Sequence, residues 1–309
     1  MGSEMCIRDS PYSHLAVKNL DELREAYDVP LHVHLVSKPP GVYLGSAEHY
    51  DDCALHDAAS IAAAYGTSLP DLLSEPDVQS VARANDVLAA HLHSDDFAEV
   101  ALRIGDALWR GAAITDEPAG SDGRKAIESG NAIRKKMGHF LGGMFCFQGE
   151  WYWGVDRLRL LEARLIDEGY NRDDGGVRIP EPSASDTTGL EAAHIKLEYF
   201  PSLRSPYTAI GHERVLALIA RSGVSVEVRP VMPMLMRGVT APPAKQRYII
   251  TDAAREGWAH NSPMGKIVDP FGEPVKRAFA LYPGALALGK PMEFVTAYLH
   301  AAWVDGVDV

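Results

Sequence analysis

The tetrad Ser10-Pro11-Tyr12-Ser13 returns 195 residues later as Ser205-Pro206-Tyr207-Thr208, and the offset persists down the chain. Val29-Pro30-Leu31-His32-Val33 faces Val224-Ser225-Val226-Glu227-Val228, and Asp57-Ala58-Ala59 faces Asp252-Ala253-Ala254 at that same distance. Trp109 and Gly111 meet Trp303 and Gly306 within a residue of it. A single match could be chance. Matches in order and in register point to a duplicated unit, so a fold assigned to one half must suit the other.

Each copy opens as strand, helix, strand. In the second, Ile195, Leu197 and Tyr199 alternate with Lys196 and Glu198, as a half-buried strand does. Ser205 then reads as a helix N-cap, with Pro206 in the first helical position, where a missing N–H costs nothing. The helix is expected to run to Gly223, and Val224, Val226 and Val228 alternate as the next strand. In the first copy Ala16, Leu20, Leu23 and Tyr27 share one face of a single helix, followed by a strand through Leu31, Val33 and Leu35. Such a unit implies a parallel pair with a right-handed crossover. Helical stretches are predicted over 54–65, 77–90 and 95–110. The aromatic- and glycine-rich 138–156 predicts a two-stranded hairpin, and 158–165 a closing helix. Residues 171–188, rich in Asp, Gly, Pro and Ser, read as an exposed linker. The expected organisation is a first domain over 11–170, a linker over 171–193 and a second domain over 194–309. The hairpin and closing helix that follow Trp109 would, after Trp303, run well past Val309, so the second copy is expected to be truncated and the chain a fragment.

Composition narrows the function classes. The 309 residues are 46% hydrophobic and 23% charged, a globular balance. No apolar run approaches the roughly 18 residues of a membrane span, and no segment has the layout of a signal peptide. The expected location is the cytoplasm, with no membrane partner. A net charge of −12 argues against nucleic acid as a partner, because phosphates repel it unless basic residues cluster. The densest basic run, Arg134-Lys135-Lys136, reads as a solvated face. Three cysteines, Cys6, Cys53 and Cys146, form no C-x-x-C pair, which removes the commonest redox and zinc signatures. Met1 to Ser10, MGSEMCIRDS, resembles translated sequencing-adapter text and is expected to be a non-native leader outside the fold.

With these residues in place, the chain resembles the DsbA-like thioredoxin superfamily. The carrying motifs are strand–Ser-Pro-Tyr–helix–strand, a helical insertion, Pro242-Pro243-Ala244-Lys245-x-x-Tyr248, and Gly149-Glu150 through Trp153-Gly154-Val155-Asp156-Arg157. Within the superfamily the resemblance is nearest to 2-hydroxychromene-2-carboxylate isomerase and the kappa-class glutathione transferases. It implies an α/β thioredoxin-like fold with a helical insertion (DsbA type), tandem duplicated, the second copy incomplete. It also implies a glutathione-dependent isomerase or transferase acting on a small aromatic or conjugated substrate. Redox members place Cys-Pro-x-Cys at the helix start. Here hydroxyls occupy both cysteine positions, and a hydroxyl cannot form the mixed disulfide that thiol exchange requires. The isomerase branch uses a Ser and borrows its thiol from bound glutathione, which a helix N-terminus would hold as thiolate.

Carried over residue by residue, the resemblance implies Ser205 as the catalytic activator. Pro206, Tyr207, Lys245, Asp156 and Arg157 become glutathione-binding residues, and glutathione the thiol cosubstrate. Ser10, Pro11 and Tyr12 become a degenerate first-copy site, because Leu141-Gly142-Gly143-Met144 stands where the family places a cis-proline. The first domain would then complete an intramolecular pseudo-dimer, or the chain would form a homodimer. The rival reading is a non-catalytic thioredoxin-fold binding protein that has lost its redox cysteines. Ser205-Pro206 also reads as an ordinary cap, and Lys245 as a solvated lysine. His49, Cys53 and His56 beside Asp51, Asp52 and Asp57 have ligand-like spacing, but no metal is assigned. Trp151 and Trp153 read as core packing.

Overall fold

In a computed structural model of the chain the described residues are 3–7, 10–39, 47–70, 76–116, 122–183, 186 and 192–309; for 3–7 and 47–51 only the backbone is described. The chain is mixed α/β, mostly helical, in two compact units, Met1–Ser183 and Ala184–Val309. Among the described residues no helix is long and apolar enough to cross a membrane.

The first unit is built on a four-stranded sheet in the order β2-β1-β3-β4. Strands β1 (Ser3–Ile7) and β2 (Leu31–Leu35) are parallel, with Met5 opposite Val33. The hairpin β3 (Met144–Phe147) and β4 (Glu150–Trp153) joins the free side of β1, antiparallel, with Met5 opposite Phe145. Gln148 and Gly149 turn the hairpin at φ of 50° and 85°, the left-handed two-residue turn that follows the strands' own twist. Every residue of β3 is buried, as an interior strand requires. Phe145, Phe147 and Tyr152 meet Phe97, Leu20 and Leu158 in one core. Each such side chain contributes about 1.5–3 kcal/mol by leaving water.

Between β1 and β2 lie two short helices, α1 (Pro11–Val17) and α2 (Leu20–Ala26), rather than the single helix the apolar spacing predicts. Ala16, Leu20, Leu23 and Tyr27 are nonetheless all buried on one side. The break falls at Asn19, whose side-chain amide donates to the Leu15 carbonyl at 2.8 Å and competes with the helical backbone for it. The insertion comprises α3 (Ala47–Ala64), α4 (Val78–His91), α5 (Phe97–Trp109) and α6 (Gly123–Lys136). Helix α3 begins seven residues before the expected start, and α6 was not foreseen at all. Helix α6 lies so close to β2 that a Cβ at Gly130 would sit 2.0 Å from the Leu35 carbonyl oxygen, so only glycine fits there. After β4 comes α7 (Leu158–Asp167), the expected closing helix.

Two sequence expectations give way here. The first is the leader: Ser3–Ile7 lies inside the sheet, not outside the fold. Backbone pairing asks for an extended segment and little more, so text excluded on composition can still fill a strand. The second is the linker. Residues 171–181 are tied to the first unit at particular points, although Arg172, Asp173, Asp174, Gly176, Pro180 and Glu181 are exposed. Tyr27 forms an antiparallel bridge with Asn171, and Ile179 is buried. The wholly buried carboxylate of Glu162 on α7 accepts from the N–H groups of Arg178 and Ile179 at 2.9 Å each, and from the Tyr27 hydroxyl at 2.9 Å. The boundary between the units falls after Ser183, inside the span 171–193 expected to join them.

The second unit has a parallel pair, β5 (Lys196–Tyr199) and β6 (Ser225–Val228), bridged by α8 (Pro206–Ser222). Helices α9 (Pro243–Ala259), α10 (Glu273–Ala287) and α11 (Pro291–Trp303) follow. Trp109 and Trp303, matched in sequence, each end a helix. The element order of the second unit thus follows that of the first through α5.

Candidate functional site

The segment before α8 is fixed from several sides. Leu203 is buried, and its carbonyl accepts from the Trp303 indole at 3.4 Å. Arg204 forks onto the Asp269 carboxylate at 2.7 and 2.6 Å and lies 4.8 Å from the centre of the Phe271 ring. The cation next to Ser205 is therefore engaged. Below the helix start His212, buried, links the Tyr199 hydroxyl (3.0 Å) to that of Thr296 (2.8 Å). Burial lowers the His212 pKa, so the imidazole is held neutral as a bridge between β5 and α11.

Ser205 caps α8 as expected. Its Oγ accepts from the Thr208 N–H at 3.3 Å, while the Thr208 hydroxyl accepts from the Ser202 N–H at 3.3 Å. Both hydroxyls are therefore engaged by backbone N–H groups at the helix start. Pro206 is buried in the first helical turn. The Tyr207 hydroxyl donates to Asp252 Oδ2 at 2.8 Å. Asp252 is 1% exposed and also accepts from Tyr248 at 3.2 Å and Arg255 at 3.4 Å. Lys245, Tyr248 and Asp252 recur at i, i+3 and i+7, so they share the α9 face that meets Tyr207. Burial lowers the Lys245 pKa.

The first unit repeats this clamp. The Tyr12 hydroxyl donates to Asp57 Oδ2 at 2.7 Å, the same contact displaced by 195 residues in both partners. Sequence reading paired Asp57 with Asp252 as repeat markers and missed their role. The signal was the equal spacing from Tyr12 to Asp57 and from Tyr207 to Asp252. The surroundings differ, however: Asp57 is exposed where Asp252 is buried. Tyr12 also meets Trp153 edge-on, ring centres 5.6 Å apart. Ser10 precedes α1 with no side-chain cap bond, and Pro11 is buried. Gly143 has φ of 63°, and a Cβ there would lie 3.3 Å from the Ser13 nitrogen. This glycine faces the start of α1 in a backbone conformation that proline cannot adopt.

Asp156 and Arg157 form a one-turn 3-10 segment after β4, and the Arg157 guanidinium bonds its neighbour's carboxylate. Their charges reach Tyr65, whose hydroxyl is pushed up to about 12, chiefly by burial. Tyr65 lines a groove of about 480 Å³ with Lys18, Glu22, Arg178 and Glu181; Ser10, Pro11 and Tyr12 do not line it. Of the histidine–cysteine set, the His49 and Asp51 side chains lie outside the described residues. His56 Nδ1 is 2.8 Å from the Asp52 carbonyl, and Cys53 is free and exposed. Among the described residues no three such groups converge on a metal position.

The fold and these contacts define a mixed α/β chain whose second unit holds Ser205, Pro206 and Tyr207 against an α9 face carrying Lys245. No family model and no curated protein matches the sequence. Over about half its length the structure is distantly similar to a solved structure of 2-hydroxychromene-2-carboxylate isomerase. The match has a TM-score of 0.40 and 18% identity, covering 54% of this chain and 96% of the other. A likeness this distant carries no argument about activity.

Proposed function

We propose that the chain is a glutathione-dependent isomerase- or transferase-like enzyme of the DsbA-like type, acting on a small aromatic or conjugated substrate from its second unit. The observation that carries the reading is Ser205 at the head of α8, a helix long enough for its amide dipoles to favour an anion. The Ser205 oxygen accepts one N–H, which leaves its own proton to donate to a thiolate. Clamping Tyr207 to Asp252 fixes the helix start, and the partly desolvated Lys245 on the same α9 face gains from an anionic partner such as a glutathione carboxylate. A thiolate held there would add to a conjugated substrate, permit rotation about the former double bond, and leave. Asp156 and Arg157 belong to the first unit and would serve a thiol peptide bound there.

The rival is a binding protein without catalysis. It is favoured by the bonds from Thr208 N–H to Ser205 Oγ and from Ser202 N–H to Thr208 Oγ1, which already give both hydroxyls structural work. Titrating glutathione into the whole chain decides between the two. The enzyme reading expects the bound thiol's pKa to fall in wild type and to fall less in Ser205→Ala. Losing a hydrogen bond to a charged group costs about 1.5–3 kcal/mol, roughly a ten- to hundredfold loss of rate if thiolate limits turnover. The lost cap costs about 1 kcal/mol of stability besides, so folded fractions must be matched. An unchanged thiol pKa in both proteins would reduce Ser205 to a cap.

A further inference from the structure

Lys18 and Glu22 stand four residues apart, the spacing at which a continuous helix sets opposite charges side by side. The break at Asn19 separates them. Lys18 closes α1, Glu22 lies in the first turn of α2, and among the described residues neither side chain forms an ion pair or a hydrogen bond. Both line the groove of about 480 Å³ beside Tyr65. The two other charged residues of that groove are engaged, Arg178 with Asp173 at 2.5 Å and Glu181 with Arg159 at 3.6 Å. One open cation and one open anion therefore share the groove with buried Leu15, Val155 and Ile179. The Tyr65 hydroxyl, kept protonated by burial, adds a hydrogen-bond donor.

We propose that this groove binds a small zwitterion with an apolar body, a free amino acid or a dipeptide, whose carboxylate meets Lys18 and whose ammonium meets Glu22. A ligand carrying charge of one sign would bring it against a residue of its own sign. An uncharged ligand would desolvate both charges without pairing either. The volume lies within the range of small-molecule sites. One wall, from Arg178 to Ser183, is the segment whose N–H groups at Arg178 and Ile179 bond Glu162, so the groove is formed before a ligand arrives. The second unit has no counterpart. There Glu213 and Ala217 stand 195 residues on from Lys18 and Glu22, within the unbroken α8. The site lies wholly in the first unit and requires no thiol chemistry.

NMR titration of the full chain with L-phenylalanine and with leucyl-phenylalanine, each to about 20 mM, tests this, since a ligand of amino-acid size is expected to bind at about millimolar Kd. The tighter of the two identifies the source. Amide shifts should fall on Asn19, Tyr65 and Glu181, which line the groove. Phenylpropionate keeps only the carboxylate and phenethylamine only the ammonium, and each should bind about three- to fivefold more weakly than phenylalanine. The charge-swapped variants give the sharper readout. K18E and E22K should each lose about tenfold or more for phenylalanine, because repulsion replaces attraction. Selectivity should also invert, K18E gaining phenethylamine and E22K gaining phenylpropionate, which a folding defect would not produce. Circular dichroism checks each fold, and should a swap unfold the chain, Lys18→Met and Glu22→Gln decide, each losing about three- to fivefold. Absence of binding by both zwitterions, indifference to which charge an analogue lacks, swaps that fold but do not invert selectivity, or shifts outside the groove overturn the proposal.

Discussion

Glu162→Gln is the most informative single change in the first unit. Glu162 is 0% exposed, and its two oxygens accept three hydrogen bonds: the Tyr27 hydroxyl and Arg178 N–H on Oε1, the Ile179 N–H on Oε2. An amide keeps one acceptor oxygen. If that oxygen serves Tyr27 and Arg178, the new NH₂ group points at the Ile179 N–H, leaving two donors face to face in a dry site. Losing one charge-assisted bond and stranding a buried donor costs about 2–3 kcal/mol. The cost falls on residues 171–181, which this carboxylate holds together with the Tyr27–Asn171 bridge, the burial of Ile179 and the ion pairs Arg172–Asp28 and Arg159–Glu181. Local opening of that segment should become about 30- to 150-fold more frequent, at tenfold per 1.36 kcal/mol. Hydrogen exchange at the Arg178 and Ile179 amides reads this directly, and limited proteolysis within 171–183 should accelerate in step. Unchanged protection of both amides would refute the view that Glu162 holds the segment.

Other outcomes follow from the same contacts. Tyr207→Phe strands part of a buried carboxylate and should cost about 1.5–3 kcal/mol, whereas Tyr12→Phe removes the matching bond from exposed Asp57 and should cost under about 1 kcal/mol. Equal losses by thermal denaturation would contradict that difference in environment. Burial lowers the His14 pKa to about 4, outweighing Asp106 at 3.0 Å, so its NMR titration should have its midpoint near pH 4. Because the folded value lies below the unfolded one, the stability His14 contributes is present above pH 6.5 and is lost as pH falls through about 4. Glu162 runs the other way: burial raises its pKa above 4.5 despite three hydrogen bonds. Its contribution is full below pH 4.5 and declines as pH rises through the raised value, and Glu162→Gln should remove that slope from a pH–stability curve.

Much of this architecture was legible in the sequence because local rules and tertiary context agreed. Ser205-Pro206 and Gly223 mark the two ends of α8, and Gln148-Gly149 between aromatic runs marks the hairpin. The misses share one cause, a local appearance overruled by a distant partner. Helix α6 reads as polar text, with Ala126 and Ile127 giving only a thin apolar stripe, and owes its place to the close approach of Gly130 to β2. Residues 171–181 have linker composition yet are held by a glutamate that looks like any solvated helical residue. At the candidate site, Ser205 and Tyr207 were identifiable by motif. Asp252 was visible only as a repeat marker, since nothing in a lone aspartate shows that three donors converge on it.

The position of β1 between β2 and β3 also sets an order of events for a growing chain. Its partner β2 follows closely, but β3 arrives only after the whole helical insertion has been made. Until then one side of β1 is an open template for any extended segment nearby, and non-local closure of this kind is slow. The pairing in the second unit joins strands separated only by α8 and its flanking loops, so it can form as soon as it emerges. Chaperone dependence during synthesis should therefore concentrate on the first unit, in the interval between completion of β2 and arrival of the hairpin.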